Sequence, residues 1–146
     1  MTTKEAQQLY ANLGRKAPAE LIGTPVSKYH ARAKMVEGHW FQSTSEALAY
    51  QVLRRWEQAG AISNLELQPR FVIVEGSRDA QTGRKVRARS YVGDFSFYRD
   101  GKQIVVDVKG FPTPLFLLKK RLFEVQYPTI PLEIWTRQML KEMARQ

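Results

Sequence analysis

The sequence predicts an α/β fold, a mixed sheet flanked by helices. Three observations carry that expectation. "STSEALAYQVLRRWEQAG" repeats its apolar residues at helical spacing. Four later stretches alternate or are rich in β-branched residues. "PTPLFLLKKRLFEVQYP", bounded by prolines, reads as a helix between the last two of those stretches. The predicted order is helix, three strands, helix, strand, helix.

In chain order, residues 3–13 suit a short helix capped by Thr3, with Leu9 and Leu13 as its apolar contacts. From Gly14 to Gln42 the chain is basic and punctuated by proline and glycine, so an irregular arm is expected. Its "SKYHARAK" sets Lys28, Arg32 and Lys34 beside Tyr29 and His30, a composition shared by phosphate-contacting arms and solvated loops. His30 and His39 are assigned no role.

The first core helix starts at Ser43 or Thr44 and stops at Gly60. Its stripe is Ala49/Tyr50, Leu53 and Trp56, and one turn back along it stands Glu46. Two readings of Glu46 stand: an acid on the core-facing edge that needs a partner, or a first-turn acid that complements the helix dipole. The strands follow as "LELQPRFVIVEG", "KVRARSYVGDFSFYR", "KQIVVDVKG" and "IPLEIW", and "TRQMLKEMARQ" closes the chain as a helix. The expected organisation is one domain over 1–146: lead-in 1–42, core 43–135, C-terminal helix 136–146.

Composition narrows the chemistry. The 146 residues carry a formal net charge of +9, which suits a polyanionic partner, nucleic acid first and an acidic membrane surface second. With no cysteine, disulfide staples, thiolate metal sites and a cysteine nucleophile are excluded. No apolar run approaches the ~20 residues of a membrane span, and "MTTKEAQQLYANLGRK" has no hydrophobic signal region. A soluble, cytoplasmic protein is expected.

"SYVGDFSFYRDGKQIVVDVKG" holds the sharpest signal. Asp100-Gly101 between two alternating runs predicts a type I′ turn, and that turn fixes the register. Arg99 then faces Lys102, Phe95 faces Val106, and the next pair is Asp94 opposite Asp107. Lys109 points to the same face. Opposed acids in an antiparallel pair lie with Cβ atoms ~5 Å apart and repel. They need protonation, wide exposure or a cation between them. A solvated polar face satisfies the second condition. A cation site satisfies the third, and three features favour it: Val105 on the same face, Lys109 beside the acids, and Glu46 as a third carboxylate if its helix crosses the sheet. Oxygen ligands with neither cysteine nor clustered histidine point to Mg²⁺ or Mn²⁺, not zinc.

Glu46, Asp94 and "Asp107-Val108-Lys109" together resemble the PD-(D/E)xK nuclease signature on a restriction-endonuclease-like fold. "SKYHARAK", "FQSTSEALAY", "GAISNLELQPRF", "YVGDF" and "VVDVKG" are similar to a phage-encoded family of Holliday-junction-resolvase-like endonucleases, over roughly Ser27 to Trp135. The resemblance implies an α-β-β-β-α-β core and metal ligation by Glu46, Asp94 and Asp107. It gives Lys109 the role of orienting the attacking water or stabilising the pentacoordinate phosphate, and makes Gln68 a supporting polar group. Gly93 stands where the signature has proline, and Asp107 where it often has glutamate.

The expected activity is Mg²⁺-dependent (or Mn²⁺-dependent) endonucleolytic cleavage of DNA, branched DNA in particular. Paired incision of a two-fold junction calls for a homodimer, with "FPTPLFLLKKRLF" or the terminal helix as its surface. If phage-encoded, it acts in the host cytoplasm. The clusters Lys28/Arg32/Lys34, Arg84/Lys85/Arg87/Arg89 and Lys119/Lys120/Arg121 would hold the DNA backbone. Two alternatives remain: another nicking, flap-cutting or transposon-end-cutting nuclease, and a non-catalytic basic nucleic-acid-binding module whose acids are structural.

Overall fold

The computed structural model describes Gln8, Ala11, Asn12 and residues 34–146. The chain divides into two compact units, residues 1–51 and 52–146. Among the described residues no helix is long and apolar enough to cross a membrane.

In the first unit Gln8, Ala11 and Asn12 are helical. The rest of the predicted N-terminal helix lies outside the described residues, as do Lys28, His30 and Arg32. Strands β1 (Lys34–Val36) and β2 (His39–Phe41) pair antiparallel around Glu37 and Gly38, whose φ values are +47° and +79°. This corrects the irregular arm expected through Gln42. The strands are three residues each, too short for alternation to register, and the Glu-Gly turn is a weaker cue than Asp-Gly. His39 and Phe41 set their rings against Tyr50, at 5.4 and 5.1 Å between centroids.

Helix α1 (Thr44–Gln58) begins where its cap predicts: Ser43 Oγ accepts the Glu46 N–H at 3.1 Å. It ends in a paired glycine stop. The Gly60 N–H donates to the Glu57 carbonyl and the Ala61 N–H to that of Trp56, with Gly60 at φ +76°.

The second unit is built on a four-stranded mixed sheet whose spatial order is Leu132–Trp135, Lys102–Val108, Phe95–Arg99, Ser63–Leu67. Its strands are β3 (Ser63–Leu67), β8 (Phe95–Arg99), β9 (Lys102–Val108) and β10 (Leu132–Trp135). β8 and β9 pair antiparallel in the predicted register, Phe95↔Val106 through Arg99↔Lys102. The turn is of the expected kind, with Asp100 at φ +52° and Gly101 at φ +74°. β9 and β10 run parallel, joined by α2 (Pro114–Gln126), and α3 (Arg137–Ala144) follows. Thr113 and Thr136 cap these two helices through their hydroxyl oxygens.

Two predicted strands are broken. "LELQPRFVIVEG" divides at Gln68-Pro69 into β3 and β4 (Arg70–Val74). "KVRARSYVGDFSFYR" divides into β6 (Lys85–Val86), β7 (Arg89–Val92) and β8, the last break falling at Gly93-Asp94. β4 pairs with β7 in a separate ladder, and β5 (Ser77–Arg78) pairs with β6 as a short ribbon beyond it.

The two breaks lie side by side. The Gln68 N–H donates to the Asp94 carbonyl at 2.9 Å, and the Gly93 N–H to the Pro69 carbonyl at 3.0 Å. Both strands turn the same corner together. Ile73 and Tyr91, from the strands beyond it, join Val105, Leu132, Phe116 and Phe123 in one buried cluster. The face of β9 that bears Asp107 is therefore a second core. On the opposite face Phe97 and Trp56 both pack against Trp135, at 6.4 and 5.7 Å.

Candidate active site

Asp107 occupies the central strand and is 4 % exposed. A solvated face is thereby ruled out for this acid. Its Oδ2 accepts the Tyr91 hydroxyl at 2.5 Å. Its Oδ1 is buried and accepts no hydrogen bond among the described residues. Lys109 Nζ stands 3.2 Å from Oδ1, near enough for Coulombic attraction yet not aligned as a hydrogen bond. The ammonium also sits over the Phe116 ring, 4.8 Å from its centroid, which holds the lysine stem in place.

Asp94 does not oppose Asp107 in the ladder. The last regular pair is Phe95↔Val106, and the Asp94 N–H reaches back to the Val106 carbonyl at 3.0 Å. This one-residue slip corrects the expected pairing. Its cause is the corner at Gly93, where the chain leaves β8 and irregular pairing re-aims a side chain. Asp94 Oδ2 instead accepts the Val108 N–H at 2.6 Å, a charge-assisted bond that closes the end of the hairpin.

The two acids still share one neighbour. Burial, the hydrogen bond to Asp107 and the charges of Asp107 and Asp94 hold the Tyr91 hydroxyl's pKa far above the ordinary phenol value. Tyr91 thus keeps its proton and donates it to Asp107. Sequence reasoning passed over it as one more residue of a strand. Its signal was present in "YVGDF", where a glycine inside a strand marks a bend and so places Tyr91 on a separate segment.

Gly93 is a packing requirement. A Cβ there would lie 2.9 Å from Val105 Cγ1 and 3.5 Å from Pro69 Cγ. Proline, which the signature has at this position, would also remove the N–H that bonds the Pro69 carbonyl.

Asp107 and Lys109 open onto a cavity of about 340 Å³, shared with Ser90, Tyr91, Thr113 and Lys119. Its lining brings an acid, two ammonium groups and hydroxyls together with the apolar Val92, Leu115 and Phe116, and the polar set suits an anionic substrate. Gln68 is exposed, at φ +51°, and joins the site through its backbone bond to Asp94. Glu46 is half-buried in the first turn of α1, in residues 1–51, whereas Asp94, Asp107 and Lys109 belong to residues 52–146. Among the described residues no group of three or more histidine, aspartate or glutamate side chains gathers as a ligand set.

Of the predicted DNA-contacting cations, Lys34 is exposed on β1, and Arg84, Lys85, Arg87 and Arg89 are exposed around the ribbon. Lys119 is exposed at the cavity. Lys120 is ion-paired with Glu124, which also meets Arg121 at 3.6 Å.

The model of the family described as "Protein of unknown function (DUF1064)" matches residues 26–143. The chain belongs to that family. The matched DUF1064 region contains Glu46, Gln68, Tyr91, Asp94, Asp107 and Lys109. None of the curated proteins compared with it matches the chain.

Proposed function

We propose that this DUF1064 chain is a metal-dependent DNA endonuclease with a restriction-endonuclease-like core, acting on branched DNA such as four-way junctions. The observation that carries the reading is Asp107 Oδ1: a buried carboxylate oxygen without a hydrogen bond, beside Lys109, on the wall of a cavity. Leaving such an atom unsatisfied costs on the order of 1–3 kcal/mol or more, so a partner from outside the chain is expected.

A hard divalent cation fits this donor set, since Asp107 and Asp94 offer oxygen only. Bound there, Mg²⁺ or Mn²⁺ would polarise the phosphate and acidify a water. The chain's own residues supply the rest. Tyr91 fixes the rotamer of Asp107 through Oδ2 and leaves Oδ1 beside the Lys109 ammonium. Lys109 sets a positive charge where phosphate oxygens gain negative charge, and a group so placed contributes roughly 10²–10³-fold. Lys119 meets phosphate at the cavity mouth. Glu46 and Gln68 enter as ligand and supporting group through the resemblance alone. So do the junction preference and the homodimer, for which exposed Phe111, Leu115 and Leu118 offer a surface.

The Tyr91–Asp107 bond also favours the second reading, a basic nucleic-acid-binding module in which Asp107 is structural. One experiment separates them. A labelled four-way junction and a linear duplex are incubated with Mg²⁺ or EDTA, beside Asp107→Asn. Mg²⁺-dependent symmetric cuts that vanish in the variant support the nuclease. Binding without cutting by either protein leaves the binding module.

A further inference from the structure

We infer that the β5–β6 ribbon is a docking arm for duplex DNA, gripping its phosphates through Arg78, Arg84 and Lys85. The inference takes its partner from the phosphodiester reading above and adds the surface that selects a duplex.

The ribbon's register sets Arg78 directly opposite Lys85. Like charges so placed repel, and nothing in the fold relieves them. Arg78, Arg84, Lys85, Arg87 and Arg89 are all exposed, and none makes an ion pair among the described residues. The single acid between Ser77 and Ser90 is Asp79. Its carboxylate is taken up by the turn, accepting the Thr82 N–H, the Thr82 hydroxyl and the Gln81 N–H, and these hold its pKa below the ordinary value.

Every residue from Val74 to Arg89 is exposed, so the ribbon adds almost nothing to the core. Its shape is nonetheless fixed. The Gly83 N–H donates to the Asp79 carbonyl at 2.8 Å, and Arg78 Nη1 to the Gly83 carbonyl at 3.1 Å. A Cβ at Gly76 would sit 3.3 Å from the Val86 carbonyl oxygen, so the two strands approach closely at the ribbon's base. A shallow groove of about 440 Å³ runs along Gly76, Arg78, Lys85 and Arg87. An ordered ribbon with a net excess of cations and no buried surface suits a polyanion.

Shape decides which polyanion. A two-stranded ribbon fits the B-form major groove, about 12 Å wide. The A-form groove of duplex RNA is too deep and narrow for it. A membrane-seeking tip would be apolar, but the tip here is Ala80-Gln81-Thr82-Gly83. The arm also lies on the way to the site, because β7 carries Tyr91 to Asp107 six residues after Lys85. Residues 87–88 interrupt the strands, so about 3.3 Å per extended residue sets an upper bound of roughly 20 Å, or about six base pairs along the axis.

The test uses the full chain in EDTA, so that cleavage plays no part. Affinity for a fluorescent linear duplex is read by anisotropy as NaCl is raised. Wild type is compared with Arg78→Gln/Arg84→Gln/Lys85→Gln and with a charge-matched control on α3 and its C-cap, Arg137→Gln/Lys141→Gln/Arg145→Gln. The ribbon variant should lower the slope of log K against log[salt] by about 2–3, and Lys85→Gln alone by about 1. The control should keep the wild-type slope, and thermal melts should coincide. Equal slopes for ribbon variant and control overturn the arm while leaving a nuclease that cuts intact. A wild type that binds no duplex, or binds duplex RNA or phosphatidylserine vesicles better, also overturns it. Loss of slope beside an Asp107→Asn protein that still cuts keeps the arm and removes the nuclease site.

Discussion

Strand pairing threatens to set like charges against each other at two places, and the molecule treats them in opposite ways. At the open end of β8–β9, away from the Asp100-Gly101 turn, the ladder slips by one residue. Asp94 caps the Val108 N–H, and Asp107 is buried against Tyr91. At the β5–β6 ribbon Arg78 and Lys85 keep their register and stay in water. Burial explains the difference. In a low-dielectric interior two facing carboxylates repel strongly, and the corner at Gly93 takes Asp94 out of that pairing. In solvent, opposed cations cost a few tenths, which counterions absorb. Arranged charge thus persists at low cost on the surface, where a polyanion can use it. In the core it persists where its oxygens are engaged: Asp107 Oδ2 accepts the Tyr91 hydroxyl, and Oδ1, without a hydrogen bond, has the Lys109 ammonium 3.2 Å away.

The largest effect should come from removing the buried charge. Asp107→Asn keeps an oxygen to accept from Tyr91, so the fold should survive, while cleavage falls by about 10³-fold or more. Duplex affinity should hold or rise, because an acid no longer repels phosphate. Ribbon variants should do the reverse, and a shared direction of change in anisotropy would erase the contrast between the two sites. Next, Lys109→Met keeps an unbranched side chain beside Phe116 and removes the ammonium. Cleavage should drop roughly 10²–10³-fold with little change in duplex binding, read as a loss in kcat. A fall confined to KM would move Lys109 from the reacting phosphate to the docking surface.

Gly93→Ala tests whether the corner governs the site. Its Cβ would meet Val105 Cγ1 at 2.9 Å, and overpacking of this kind costs about 1–3 kcal/mol in chemical unfolding. If the variant is as stable as wild type, the corner is looser than its hydrogen bonds to Pro69 and from Gln68 indicate.

How much of this was legible from sequence follows the same physics. The β8–β9 register was, because Asp100-Gly101 admits one turn and the turn counts residues outward. The cap at Ser43 and the stop at Gly60 were local chemistry and were found where expected. The fold of the strands over themselves was not. Alternation runs straight through Gln68-Pro69 and Gly93-Asp94, and only a proline and a glycine inside strand patterns betrayed the bend. Without the bend, the acids' face has nothing above it, Tyr91 has no reason to meet Asp107, and Asp94 stays in register. The candidate acids and lysine were legible as residue types, whereas their partners depended on a corner between segments distant in sequence.

The smallest effect probes the tyrosine, the group that distinguishes the buried acid from its exposed counterparts. Its folded pKa is raised by burial and by the adjacent carboxylates, so the folded state holds the proton where the unfolded chain releases it. The stability Tyr91 contributes is therefore complete below the ordinary phenol value of 10.0 and is lost as pH rises above it. Wild-type unfolding free energy should fall by up to about 1.4 kcal/mol per pH unit above pH 10 relative to Tyr91→Phe. The same variant loses the bond that aims Asp107, so Mn²⁺ affinity at neutral pH should weaken by about 10-fold, read by calorimetry without DNA. Parallel pH curves would mean that the hydroxyl is not held as a donor. Unchanged Mn²⁺ binding would mean that Asp107 needs no orienting partner, and the contrast between a positioned buried acid and loose surface cations would narrow to burial alone.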